Sequence, residues 1–167
     1  SDWPNVAHKI KLIDGLTEWV QLDVADGIFT PIQTWSNPQE LLDLNIKSKL
    51  EIHLMVADPA EEIKRWLVDP VVRLVVQVES LGNVKPPTFN IKPEVVLGFN
   101  IETPWEMHRD LIGQVGRVLF LSVRPGYQGQ KFDRRVIDKI RSFKSVYPQI
   151  KIEVDGGIDL DIAKDDN

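Results

Sequence analysis

Hydrophobic residues in this chain fall into short unbroken runs, separated by stretches where they recur at helical spacing. Six runs stand out: Trp19–Val24, Leu50–Met55, Leu74–Val78, Glu94–Phe99, Arg117–Ser122 and Lys151–Val154. Most are rich in Val, Ile and Leu and barely alternate, the pattern of parallel strands buried on both faces. The intervals carry helix signals. Asn37-Pro38 and Asp58-Pro59 each set a capping side chain before a proline at the first helical position. Thr103-Pro104-Trp105-Glu106 has the spacing of a capping box. Val136, Ile137, Ile140 and Phe143 predict an apolar stripe on a helix between the last two strands, and Val6, Ile10, Ile13 and Leu16 predict another at the start. Glu61-Glu62-Ile63-Lys64-Arg65 reads as a solvated helix face with pairs at i,i+3 and i,i+4. Gly82–Asn90, with its two prolines, is too broken for a helix.

Repeated strand–helix units with right-handed crossovers give either a doubly wound sheet or a barrel. Glycine follows strand exits at Gly27, Gly126 and Gly157, and polar candidates sit on several strands rather than at one crevice. That favours an α/β fold of the TIM (β/α)8 barrel type, read as a single domain over residues 1–167. Six strands fall short of eight, and such barrels typically need ~250 residues. The first and last strands are therefore expected to be missing from this sequence, leaving a barrel clipped at both ends.

Composition narrows the function more than the fold. With 167 residues, 43% hydrophobic and 27% charged, the chain fits one soluble domain with a sizeable core. A net charge of −5 argues against nucleic acid as a partner and leaves room for a small anionic substrate. No run approaches the ~18 apolar residues of a membrane span, and Ser1-Asp2-Trp3-Pro4 lacks the basic and apolar segments of a signal peptide. The absence of cysteine excludes disulfides and thiolate metal sites and fits a cytoplasmic location.

The candidate chemistry lies at the strand ends. Gln21-Leu22-Asp23-Val24-Ala25-Asp26-Gly27 and Ile152-Glu153-Val154-Asp155-Gly156-Gly157 each deliver an aspartate close to glycine, and Glu51-Ile52-His53-Leu54-Met55 delivers a histidine. Taken singly, Asp23 and Asp155 are most simply helix caps and His53 a hydrogen-bonded core residue. Together they point to proton abstraction beside a carbonyl, assisted by a metal. Asp26, next to Gly27, reads as a turn residue that orients a neighbour. The glycine turn Pro125-Gly126-Tyr127-Gln128-Gly129-Gln130 and the pair Gly156-Gly157 can bring backbone N–H groups onto a phosphate. His8 and His108 fall on helix surfaces and carry no role. Trp19, Trp35, Trp66 and Trp105 read as packing residues.

Four blocks, in order, resemble the ribulose-phosphate 3-epimerase family: Trp19–Pro31 (WVQLDVADGIFTP), Glu51–Val56 (EIHLMV), Leu121–Phe132 (LSVRPGYQGQKF) and Ile152–Ile158 (IEVDGGI). Val96–Pro104 (VVLGFNIETP) is a weaker fifth. The resemblance implies a metal-assisted TIM barrel, often oligomeric, that interconverts ribulose 5-phosphate and xylulose 5-phosphate. It implies that Asp23 and Asp155 are the base and the opposing acid, and that Asp23, His53 and Asp155 are ligands of a divalent metal, zinc by the family pattern. Met55, Gly126, Tyr127, Gln128, Gly129, Gly156 and Gly157, with His53, would contact the sugar phosphate. Homo-oligomerisation is the partner expectation.

The chain departs from the family at Gln21, where a histidine would be the fourth ligand. Gln77 stands for a second histidine, Ala25 and Leu121 for methionines, and Arg124 for an asparagine. An amide oxygen matches zinc poorly. Three readings stay open. Gln21 ligates through its oxygen, with preference moved towards manganese, iron or magnesium. Alternatively, catalysis proceeds without metal, with Gln21 as hydrogen-bond donor to the enediolate. In the third, the fold keeps sugar-phosphate binding and is catalytically silent. Ala25 also opens room for a longer ketose phosphate.

Overall fold

Each apolar run forms a strand: β1 (Trp19–Ala25), β2 (Lys49–Met55), β3 (Val71–Gln77), β4 (Glu94–Phe99), β5 (Arg117–Leu121) and β6 (Lys151–Asp155). The computed structural model describes residues 2–82 and 93–164, so the broken stretch that begins at Gly82 lies, from residue 83 on, outside the described residues. Neighbouring strands pair in parallel in the order β1-β2-β3-β4-β5-β6. The sheet curls until β1 and β6 face each other, as a Gln21–Asp155 hydrogen bond demonstrates. It is a TIM-barrel-like α/β fold with six of the eight strands among the described residues.

Among the described residues five α-helices accompany the strands: α1 (Trp3–Ile13), α2 (Pro59–Arg65), α3 (Val78–Leu81), α4 (Arg109–Ile112) and α5 (Arg135–Val146). The two proline-led starts form as the sequence predicts. Asn37 accepts from Gln39 N–H to begin a 3-10 turn, and Asp58 accepts from Ala60 N–H to begin α2. On α2, Glu61 pairs with Lys64 at 2.7 Å and Glu62 with Arg65, both at i,i+3.

Two expectations fail for identifiable reasons. No capping box forms at Thr103, because Pro104 holds the chain extended (φ −66°, ψ 120°) and the 3-10 turn Trp105–His108 starts beyond the box without a side-chain cap. The opening stripe also stops short. Asp14 ends α1, Gly15 turns the chain at φ +77°, and Leu16 is left 82% exposed.

Alternation along the strands sorts side chains into two separate cores. Ile52, Leu54, Leu74, Val76, Leu97 and Phe120 face outward, where Ile63, Trp66, Ile112, Val136 and Phe143 cover them. Val75, Val96, Leu119 and Leu121 face inward as an apolar quartet. Two residues earlier on these strands the interior turns ionic. Buried Arg73 pairs with Glu51 at 2.7 Å, Glu94 at 3.3 Å and Glu153. Arg117 adds Glu153 at 3.0 Å, and the Arg73 guanidinium lies 3.8 Å from the centre of the Trp19 ring. Burial and the nearby Glu51, opposed by the two arginines, push the Glu153 carboxyl up to about 7. Trp19 thus packs on a cation in the interior. Trp35 stacks on Trp3 and meets Trp66 edge-on outside the sheet.

Candidate active site

Register assembles the site. Parallel pairing sets Asp23 of β1 opposite His53 of β2, and Leu121 of β5 opposite Asp155 of β6. Side chains at paired positions share a face, so all four point to the interior near the carboxyl ends of the strands. Curling then closes the gap between first and last strands. One ligating atom each from Asp23, His53 and Asp155 lies within 4.8 Å of the others. His53 is buried, with Nδ1 3.5 Å from Asp23 Oδ1 and 3.7 Å from Asp155 Oδ2.

Asp23 and Asp155 cap no helix. Instead both accept from the Gln21 amide, Nε2 donating to Asp23 Oδ1 at 3.0 Å and to Asp155 Oδ2 at 3.1 Å. Gln21 shares the inward face with Asp23 because the two stand two residues apart on one strand. Burial works to raise the Asp23 carboxyl, but a protonated His53 ring and the Gln21 amide outweigh it and hold the group below its usual range. Asp23 is therefore ionised at neutral pH.

A cavity of about 270 Å³ opens beside the cluster. Asp23, His53, Met55 and Asp155 form its floor, and Arg124 to Gln130 with Gly156 and Gly157 form one wall. The cavity brings together every sequence-predicted site residue except Gln21, which touches the carboxylates from the side and lines a neighbouring hollow. Glycine is demanded at two of these positions. Gly156 has φ +109°, and a Cβ there would stand 2.3 Å from Val123; Gly157 has φ +63°, and its Cβ would meet Phe132 N at 2.4 Å. The Gln130 amide braces the loop, donating to the carbonyls of Arg124 at 2.6 Å and Tyr127 at 2.9 Å.

Other members of the site had no sequence signal. Thr34 Oγ1 donates to Asp23 O at 2.8 Å and accepts from Ala25 N–H at 2.9 Å, pinning the exit of β1. Nothing distinguishes this threonine among the polar loop residues around it. Ile32 and Val123 line the cavity as ordinary apolar residues. Asp26 does orient a turn: its carboxylate accepts from Ile28 N–H, Phe29 N–H and Ala57 N–H at 2.7–2.9 Å, tying the first loop to the end of β2. Burial opposes ionisation there, and those three backbone donors overcome it, so the group lies below its usual range.

The donor set suits a divalent cation. His53 Nδ1 is buried, has no hydrogen-bond partner among the described residues and points between two carboxylates, as a nitrogen ligand would. Imidazole and carboxylate serve zinc, iron and manganese alike as ligand types, so these three side chains do not by themselves select one metal.

A parallel strand–helix sheet curled on itself, with ionisable groups from several strands at one mouth, defines a (β/α)-barrel enzyme of the kind that works at strand carboxyl ends. Residues 1–165 match the Ribulose-phosphate 3 epimerase family. The chain belongs to this family, whose named members are isomerases of sugar phosphates. It is 30% identical to the cytoplasmic isoform of ribulose-phosphate 3-epimerase from Oryza sativa subsp. japonica, across 95% of this chain and 73% of that protein. It is 31% identical to the Chlamydia muridarum ribulose-phosphate 3-epimerase, across 87% of this chain and 68% of the relative. For the Mycobacterium bovis ribulose-phosphate 3-epimerase the figures are 26%, 96% and 73%. No described helix is long and apolar enough to cross a membrane.

Proposed function

We propose that this chain epimerises C3 of a phosphorylated ketose, with ribulose 5-phosphate and xylulose 5-phosphate as the pair, as the names of its relatives suggest. The observation that carries the reading is the pair of carboxylates from opposite edges of the sheet, set against one imidazole at the floor of a cavity. Inversion beside a ketone needs a base on one face of the carbon and an acid on the other. Asp23, held ionised, takes the C3 proton, and Asp155 returns one to the opposite face.

When bound by Asp23, His53 and Asp155, a divalent cation would acidify that proton by drawing charge onto the ketone oxygen. Gln21 supplies two amide hydrogens that hold the carboxylates together; to join the ligands it would have to turn its oxygen inward. The wall from Arg124 to Gly129 and Gly156-Gly157 receives the phosphate, with Arg124 adding positive charge. Met55, Leu121 and Ile32 exclude water from the reacting carbon.

The test is solvent exchange. Chelator-treated protein is incubated with ribulose 5-phosphate in deuterium oxide, with and without zinc, manganese or magnesium, and followed by proton NMR. Deuterium at C3 together with xylulose 5-phosphate is the expected result. No exchange under any condition, with the sugar phosphate bound, would leave a silent binding homologue in its place.

A further inference from the structure

His53 offers one ring nitrogen to the carboxylate pair, and its other nitrogen meets a seat built around Gln77. Both residues are buried, at 1% and 0% exposed, and His53 Nε2 lies 2.6 Å from the Gln77 amide. One orientation of that amide satisfies all its neighbours. Oε1 accepts from His53 Nε2–H, while Nε2 donates to Glu79 Oε2 at 2.8 Å and to Gly98 O at 3.3 Å. Reversed, the amide would press its oxygen on a carboxylate and a carbonyl. The other Glu79 oxygen accepts from Asn100 N–H at 2.8 Å, which anchors the carboxylate to the end of β4. Glycine at 98 makes the space: a Cβ there would stand 2.8 Å from the Gln77 amide atom that faces His53 and 3.0 Å from Cδ.

We infer that Gln77 is a positioning residue that places the neutral His53 proton on Nε2, so that the Nδ1 lone pair is presented between Asp23 and Asp155. This inference rests on the reading of those three residues as ligands of a divalent cation. The argument is one of directed donors. A glutamine locked by Glu79 and Gly98 can only accept from the ring, and a neutral ring that donates from Nε2 must leave Nδ1 as the acceptor. Remove the acceptor, and a proton on Nε2 would be buried without a partner. It would move to Nδ1, where two carboxylates can receive it, and the ligand would be lost. Partners of this kind on metal-binding histidines typically alter affinity ~10–100-fold.

The experiment joins ring nitrogen-15 NMR, on metal-free protein across a pH series until His53 is neutral, with calorimetric titration of Zn²⁺. In the unsubstituted protein the proton should reside on Nε2. Gln77→Leu should move it to Nδ1 and weaken Zn²⁺ binding about 10–100-fold. Gln77→Glu combined with Glu79→Gln reverses the donor and acceptor across that contact while keeping an acceptor for the ring, and should restore both readouts. Should Gln77→Leu not fold, Glu79→Ala and Gly98→Ala loosen the same seat more gently and should shift the tautomer part of the way. An Nδ1–H tautomer in the unsubstituted protein, or one unmoved by these variants, overturns the inference. Failure of the unsubstituted protein to bind Zn²⁺ while the tautomer follows Gln77 would support the positioning role and overturn the metal reading instead.

Discussion

Gln21 on β1 donates to Asp155 on β6 at 3.1 Å, although the two residues stand 134 positions apart and their strands share no ladder. The same amide nitrogen reaches Asp23 at 3.0 Å. One neutral group thus holds two carboxylates that would otherwise repel.

Replacing Gln21 should separate its two effects. Gln21→Leu removes both hydrogen bonds and releases part of the hold on Asp23, whose carboxyl should rise towards its ordinary range. An ionised base is active above its pKa, so the acid limb of the kcat/KM profile should move to higher pH. Gln21→His adds an imidazole nitrogen and should tighten Zn²⁺ binding. A pH–rate series and a metal titration on each variant check the two effects.

Asp155→Asn keeps the shape of the site and removes one of the two proposed proton-transfer groups. Turnover should fall about 10²–10⁴-fold. Affinity for the sugar phosphate should change far less, because the proposed phosphate wall is untouched. Rates by exchange NMR and binding by calorimetry measure these separately. An Asp155→Asn enzyme at full rate would remove Asp155 from the reaction.

Gly157→Ala forces a side chain into a left-handed backbone and against Phe132 N. It should cost more than about 1 kcal/mol in a denaturant unfolding curve. It should also raise KM for the phosphorylated ketose. Gly129→Ala, with nothing within 4 Å of the added carbon, carries the φ strain alone and should cost less.

Asp26 makes stability depend on acid. Its folded carboxyl lies below the ordinary value of 3.8, so its contribution is fully present above the unfolded pKa and is lost as pH falls through the folded one. Asp26→Asn should flatten the decline of unfolding free energy below about pH 4. Denaturant unfolding at several acid pH values reads that slope.

Lys139 acts in the opposite range. Burial draws its ammonium from 10.5 down to about 8, although carboxylates nearby oppose the shift. Between those values the unfolded chain binds more protons, so stability should rise with pH from about 8 to 10.5. Lys139→Arg stays charged throughout and should lose that rise in the same unfolding measurement.

The strands were legible because parallel strands buried on both faces leave unbroken apolar runs, and Asp23, His53 and Asp155 because they end such runs. The capping box at Thr103 misled because the same letters also permit an extended Pro104. The Arg73–Glu51–Glu94–Glu153 layer was invisible for another reason. Its members lie singly on different strands, each resembling a solvent-facing charge until the sheet curls and faces them inward. Thr34 and the Gln77 seat depend likewise on which atoms meet, which no spacing encodes.

Because Asp23 and Asp155 stand on the two strands at the ends of the hydrogen-bonded order, no ladder sets the distance between them directly. That distance is the chord of an arc, and the arc is drawn by β2 to β5. The quartet Val75, Val96, Leu119 and Leu121 fills the inside of the bend and acts as its former. Bulk added or removed at Val75, Val96 or Leu119 would alter the radius, and with it the distance between the two carboxylates, without substituting either one. In this architecture the gap between the two proposed proton-transfer groups is set by curvature.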